Sequence, residues 1–405
     1  AVVLDVWVGV GIEAAEIMKN MTEDQFSPES GIYLDVNVLP SGQLNAGASN
    51  ALLLALAAGN APDVVLNVSS TTPVEFAFRD AVVDLSKMPG YNEIAKEYLP
   101  ASLLPNTFQG GVYALPDNMD FRVLFYRTDI FEALGLEIPD TWQEVYDELL
   151  PVLFDNKLNM YVPPELNLFL FQHGGKYYTD DGLRSALDSD AGYQAFLQMV
   201  QLYTQYGLPF YSSAGSTQNN FFNAFRLGSV PVGISGFTDY MQLLTGAPEI
   251  TGKWDIALIP GRETESGEID RSYGGMLTTA SMVMSAGEHV NEAWEFLKWW
   301  SSSEVQAQYG QERETRIGTG SRLPTANIAA FSSLPWGKQE QEILLESWSY
   351  LQETPGVLGG MYTARHINNA WNRIMIDQTG IPPRDSLEMA VEEINKELEA
   401  KQEEY

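Results

Sequence analysis

The chain has 405 residues, with 54 Asp and Glu against 23 Lys and Arg, a formal net charge of −31. At about 100 to 200 residues per domain this length calls for two or three domains, and an apolar share of 45% supplies their cores and argues against extensive disorder. So acidic a chain repels phosphate backbones and anionic lipid surfaces, and no local basic patch offsets this, so nucleic acid and membrane surfaces are excluded as partners. Cysteine is absent, which removes disulfides, thiolate metal sites and cysteine nucleophiles together.

In chain order, Val2 to Val8 reads as a strand, Ile12 to Phe26 as a helix and Ile32 to Leu39 as a strand alternating with period two, which makes a βαβ unit. Ala1 to Val8 carries no basic leader, and a chain opening directly in a core strand leads us to expect a leader, anchor or preceding domain removed before it. Gln43 to Ala58 is a second helix closed by Gly59, followed by a short buried strand from Asp63 to Leu66. This alternation implies a mostly parallel sheet with ligands at the carboxyl ends of its strands. No apolar run approaches the roughly 18 residues that a membrane-spanning helix needs.

After strand-like pieces at Val112 to Leu115 and Arg122 to Tyr126, helical patterns dominate: Thr141 to Phe154, Ala191 to Tyr206 and Gln218 to Leu227. Strands return at Val230 to Ser235, Trp254 to Ile259 and Met276 to Met284. Glu292 to Trp300, Lys338 to Gln352, Tyr362 to Asp377 and Ser386 to Gln402 are helical, and the last, rich in Glu and Lys at spacings of three and four, reads as a solvated surface helix.

Several motifs have plain structural readings. Gly9-Val-Gly11-Ile-Glu-Ala14 formally fits a dinucleotide fingerprint, but Glu13 would put a carboxylate where a pyrophosphate must sit. A tight strand-to-helix turn fits better, with Glu13 free to accept hydroxyls of a neutral ligand. The histidines His173, His289 and His366 have no metal-ligand spacing, no zinc or nucleophile-elbow motif occurs, and Asp190 reads as a helix N-cap. No cofactor, metal site or catalytic residue is expected.

Asp117-Asn118-Met119-Asp120 interrupts two strand-like segments with a polar cluster. It can be a turn with Asx hydrogen bonds, a glycosidase pair, or a ligand contact, and we favour the last. Ser235-Gly-Phe237-Thr-Asp239-Tyr240 and Ser272-Tyr273-Gly-Gly275 likewise set an aromatic beside polar residues at strand ends. Aromatic rings with amides and carboxylates are what a sugar needs, since rings cover the apolar pyranose faces and polar groups satisfy its hydroxyls.

Five segments then carry a resemblance. Ala57-Ala-Gly-Asn-Ala-Pro-Asp-Val-Val65, Gly110-Gly-Val-Tyr-Ala-Leu-Pro116 with Leu124-Phe-Tyr-Arg-Thr-Asp-Ile-Phe131 and Gly135-Leu-Glu-Ile-Pro-Asp-Thr-Trp142, Phe225-Arg-Leu-Gly-Ser-Val-Pro-Val-Gly-Ile-Ser-Gly236, Ala293-Trp-Glu-Phe-Leu-Lys298 with Glu304-Val-Gln-Ala-Gln308, and Arg322-Leu-Pro-Thr325 stand in this order along the chain. The whole resembles the extracellular solute-binding proteins of ABC importers, in the sugar-binding family that includes maltose-binding protein. Phe237 stands where that family usually has a Trp.

The resemblance implies an α/β, two-lobe periplasmic-binding-protein-like fold with a hinge between lobes: residues 1–117 plus 270–322 in the N-terminal lobe, and 118–269 plus 323–405 in the C-terminal lobe. Crossings are expected near Pro116 to Phe121, Gly261 to Ser272 and Leu323 to Ala326. It implies extracellular capture of a mono- or oligosaccharide and delivery to ABC permease subunits, with no chemistry. The ligand residues expected are Glu13, Gln43, Ser69 and Ser70 from the first lobe, Asp117, Asn118 and Asp120 at the crossing, and Phe237, Asp239, Tyr240 and Tyr273 opposite, with Arg322 either touching ligand or bracing the hinge. The alternatives are a carbohydrate-active enzyme using Asp117, Asp120 or Glu13, and a ligand-sensing domain of a surface receptor. The strong charge favours a monomer.

Overall fold

The computed structural model describes residues 1–39, 51–211 and 220–404. Its first sheet has five strands in the order Ile32–Val38, Val2–Val8, Val64–Ser69, Leu277–Val283 and Leu115–Met119. Val2–Val8 pairs in parallel with both neighbours, Leu4 opposite Leu34 and Val6 opposite Val64. Alternation places Leu4, Val6 and Val8 in the core, where burial of each such side chain contributes about 1.5–3 kcal/mol. Helix Ile12–Met21 covers them, burying Ala14, Ala15, Ile17, Met18 and Met21 at helical spacing.

The expected mostly parallel sheet extends only over these first three strands. Leu277–Val283 runs antiparallel to both of its neighbours, with Thr279 opposite Ser69 and Val283 opposite Val64. The strand returns from the other half of the chain and enters beside Ser69, at the carboxyl end of the parallel strands. From that end only an antiparallel path is open to it.

The second sheet has four strands in the order Trp254–Ala257, Val123–Arg127, Val232–Ser235 and Met160–Tyr161, antiparallel except for the last pair. The chain thus leaves the first sheet at Met119, enters the second at Val123, and comes back between Ala257 and Leu277. Helices pack outside both sheets.

Two local expectations change. The N-cap of helix Asp190–Thr204 is Ser189, whose side chain accepts the Gly192 N–H, so Asp190 is the first helical residue instead. Helix Pro383–Glu403 is more than a solvated strut: it buries Leu387, Ala390, Val391, Ile394 and Leu398 against helices Thr363–Met375 and Asp190–Thr204. Its exposed Glu and Lys face hides an apolar stripe with the same period. Among the described residues no helix is long and apolar enough to cross a membrane, and no group of three or more His, Asp and Glu could hold a metal.

Candidate functional site

A cavity of about 840 Å3 opens between loops of the two halves. One wall is the ribbon Thr107–Phe108 with Gly111–Val112. Its two-residue turn has positive φ at both positions, 48° at Gln109 and 81° at Gly110, the geometry that matches the twist of a tight hairpin. The ribbon holds the ring of Phe108 5.9 Å from that of Phe78, and both rings line the cavity.

The opposite wall is built from Phe171 and the run Gly174 to Leu183. Tyr177 donates its phenol proton to Asn167 Oδ1 at 2.5 Å, and its ring meets that of Phe171 edge-on at 6.0 Å. Tyr178 shares a 2.7 Å hydrogen bond with Thr363 Oγ1. Both tyrosine rings are therefore held by their hydroxyls as well as by packing, which fixes their orientation.

Gln352 to Leu358 closes the space between these walls. Gln352 N–H donates to Tyr273 O at 2.8 Å, and the Glu353 carboxylate accepts the Gly275 and Met276 N–H groups at 3.0 and 2.9 Å. At its other end, Gly356 N–H donates to Thr107 O at 2.9 Å and Gly359 N–H to Glu75 Oε1 at 3.2 Å. The approach at Gly356 is so close that a Cβ there would stand 2.4 Å from Val74 Cγ2. The segment is a strap tied at both ends, on one side to the chain entering Leu277–Val283 and on the other to the aromatic ribbon.

Burial pushes the Glu353 carboxyl up to about 7, against the pull of its two N–H donors. Asp180, Asp181 and Asp270 also line the cavity, with Gln109, Gln352 and Gln402 as amides. Among the described residues Lys176 is the one cation of the lining, and its ammonium lies 2.9 Å from Asp180. Rings, acceptors and amides share the lining, a composition suited to an uncharged ligand with both apolar faces and hydroxyls.

Of the expected residues among those described, Ser70 alone borders this region. It lines an adjoining pocket of about 140 Å3 that shares Tyr178 and Thr354 to Val357 with the main cavity. Ser69 pairs opposite Thr279 and approaches Thr71 Oγ1 at 3.4 Å. Glu13 is exposed in the first turn of its helix. Gln43 lies outside the described residues. None of the other eight lines either pocket.

Those eight have structural partners. Asp117 accepts the Ser281 hydroxyl at 2.7 Å and the Asn67 N–H at 3.0 Å, tying three strands of the first sheet together. Asn118 bridges Thr325, and its carbonyl accepts Thr278 Oγ1. Asp120 Oδ1 accepts the Phe237 N–H at 2.9 Å, capping helix Phe237–Gly246, while Oδ2 pairs with Arg122 at 2.8 Å. Arg122 forks onto Glu165 at 2.9 and 2.8 Å. Phe237 meets Phe121 and Trp336 edge-on. Asp239 accepts the Ser235 hydroxyl at 2.5 Å, and burial raises its carboxyl above the usual range.

Tyr240 and Tyr273, expected to face a ligand, are core residues. Tyr240 packs among Phe121, Phe125, Trp254 and Trp336. Tyr273 has no exposed surface and bonds Ser347 Oγ at 2.6 Å. Arg322 braces: it pairs with Glu314 at 3.1 Å and lies 4.6 Å over the Trp336 ring.

The Asp117 carboxyl is pushed by burial to about 7, with the Ser281 and Asn67 hydrogen bonds opposing. A carboxyl raised on folding binds more protons in the native than in the unfolded state, so its contribution falls as pH rises from the ordinary carboxylate range through about 7. The expected result is a melting-temperature gap between wild type and Asp117→Asn that moves against the wild type from about pH 5 to about pH 8. A gap that is flat across that interval would return Asp117 to an ordinary pKa.

Phe108, Tyr177, Tyr178 and Glu353 were missed from the sequence. The run Gly174-Gly-Lys-Tyr-Tyr-Thr179 did carry a signal, paired tyrosines behind a glycine turn. Glu353 carried none, since its role depends on backbone donors some 80 residues away.

Comparison with known proteins agrees with this architecture. Across nearly its full length the chain superposes on the sugar-binding protein MalE of Xanthomonas citri at 21% identity and TM-score 0.77, covering 99% of this chain and 98% of that one. It also superposes on the cyclic alpha-maltosyl-1,6-maltose binding protein of Arthrobacter globiformis at 17% identity and TM-score 0.76, covering 98% and 99%. The GacH receptor of Streptomyces glaucescens follows at 18% identity and TM-score 0.72, again covering 98% and 99%. At such identities these likenesses establish the two-lobe fold. The family model for bacterial extracellular solute-binding proteins matches residues 11–307, nearly three quarters of the chain, and the chain belongs to that family.

Proposed function

We propose that the protein captures a carbohydrate, mono- or oligosaccharide, outside the cell and delivers it to the permease subunits of an ABC importer. The observation that carries this reading is the cavity of about 840 Å3 whose walls set Phe108, Tyr177 and Tyr178 against amides and carboxylates. Its size falls in the range of about 300–1,000 Å3 typical of small-molecule sites. The Xanthomonas protein is described as sugar-binding and the Arthrobacter protein as binding a cyclic maltosyl saccharide, which supports the ligand class. Residues 1–117 with 270–322, and 118–269 with 323–405, form the two lobes in this reading, closing over the ligand by a hinge. The strand Leu115–Met119 carries the first lobe two residues past the first limit.

The enzyme alternative loses its candidates: Asp120 is spent on a helix cap and an arginine, Asp117 on two donors within the sheet, and Glu13 stands apart on an exposed helix start. The test is a thermal-shift screen against mono- and oligosaccharides, with overnight incubation of each hit. A ligand at about a hundred times its Kd adds about 2.7 kcal/mol to the folded state, so a true ligand raises Tm clearly and is recovered intact. No shift with any saccharide, in folded protein, would remove the carbohydrate reading, and consumption of the sugar would restore the enzyme.

A further inference from the structure

The cavity lining is lopsided in charge. Asp180, Asp181, Asp270 and Glu353 face one cation, Lys176, which is already paired with Asp180 at 2.9 Å. An anionic ligand finds no uncommitted positive group among these lining residues. The four carboxylates are not equivalent. Asp180 and Asp181 stand on an exposed loop where water screens them, and Asp270 turns its Oδ1 to the Ser272 N–H. Glu353 sits on the strap between the walls, held by two backbone donors at 3.0 and 2.9 Å with no cation paired to it. Each oxygen takes one N–H, so each keeps a lone pair for a further donor.

We propose that Glu353 sets the charge selectivity of the cavity, accepting hydroxyls of neutral saccharides and excluding saccharides that carry a carboxylate. The proposal rests on the carbohydrate reading above and deepens it. A neutral sugar can donate a hydroxyl to the carboxylate in a charge-assisted hydrogen bond. A uronate brings a second negative charge beside a poorly solvated one, and like charges at such a contact are strongly disfavoured.

The selectivity is also pH-dependent. Burial raises Glu353 to about 7, so the discrimination is stronger above neutrality and relaxes as the carboxyl takes up a proton. The groups around it leave this titration in place. From the entering chain, Gly275 and Met276 present only N–H groups. From the tyrosine wall, Tyr177 is held far above its ordinary value by burial and stays neutral, and Glu165 acts on that phenol as well. Asp180, Asp181, Asp270 and Lys176 complete the charged lining.

The experiment is calorimetric titration of wild type and Glu353→Gln with matched pairs, cellobiose and maltose against their uronic-acid counterparts, at about pH 8 and about pH 5.5. The uronate stays ionised at both values, so a change in its relative affinity reports on the protein. For wild type at the higher pH the neutral member is expected to bind at least about tenfold more tightly, a gap that shrinks on acidification and in Glu353→Gln. Equal affinities in wild type, or an undiminished gap in folded Glu353→Gln, would overturn the role of Glu353 and leave the carbohydrate reading standing. Should Glu353→Gln fail to fold, Glu353→Ala takes its place, an undiminished gap in that folded variant overturning the role. Failure of every saccharide in the wider thermal-shift screen to bind would instead overturn the carbohydrate reading, and the selectivity with it.

Discussion

Arg322→Ala is expected to lower the unfolding free energy by about 3–5 kcal/mol, read from urea denaturation, while leaving ligand affinity close to wild type. Its side chain is 3% exposed, and that of Glu314 is 12% exposed. Nε and Nη2 reach Glu314 Oε1 at 3.2 and 3.1 Å. Removing the cation leaves that carboxylate buried with no compensating charge, and its second oxygen already lacks a hydrogen-bond partner. The indole of Trp336 loses its cation as well. Arg322→Lys keeps the charge without the planar fork, so its loss should be smaller. A loss below about 1 kcal/mol for the alanine variant would mean that water reaches the pair as it does in surface ion pairs. A large drop in affinity with little change in stability would return Arg322 to the ligand.

Tyr178→Ala is expected to weaken saccharide binding about ten- to a hundredfold, since a buried ring contact is worth about 1.5–3 kcal/mol. Tyr178 is the ring common to the main cavity and to the smaller pocket bordered by Ser70, so a ligand extending between them must pass it. Tyr178→Phe separates the two parts of the side chain. It keeps the ring and loses the 2.7 Å bond to Thr363, which should cost about 0.5–1.5 kcal/mol of stability with little effect on affinity. Calorimetric affinity unchanged in the alanine variant would move the ligand off this wall.

Legibility in the sequence follows the range of the interaction that defines each feature. Strands Val2–Val8 and Ile32–Val38 and the helix Val290–Trp300 lie where their strand and helical patterns put them, and Val232–Ser235 lies where a short apolar run between turn residues does, because these are local signatures of a face buried against the core. The antiparallel entry of Leu277–Val283 had no local signature, since direction within a sheet depends on where the chain comes back. The charges of helix Pro383–Glu403 dominate its sequence and mask the apolar stripe of Leu387, Val391, Ile394 and Leu398.

The site was less legible than the fold. Polar residues at strand ends read as ligand contacts, yet Asp117 and Asp120 answer donors within the protein itself. A carboxylate that satisfies a helix N-terminus and one that satisfies a sugar have the same sequence appearance, because both want hydrogen-bond donors. Tyr240 and Tyr273 show the same ambiguity for aromatics, which line cores as readily as clefts.

By itself, the sequence determined the class of the molecule: two α/β lobes rich in apolar and acidic residues, without cysteine chemistry, and carrying the segments of a solute-binding family. Those properties are sums over the chain or patterns a few residues long, and neither depends on a partner far away. The tertiary structure decided which rings and carboxylates face open space. Tyr177, Tyr178, Phe108 and Glu353 come together from three distant segments, and the strap that carries Glu353 is placed by its carboxylate on the Gly275 and Met276 N–H groups and by the Gly356 N–H on Thr107 O. Exposure to a cavity is what remains after every nearer group has found its partner, so it is settled only once the whole chain has packed.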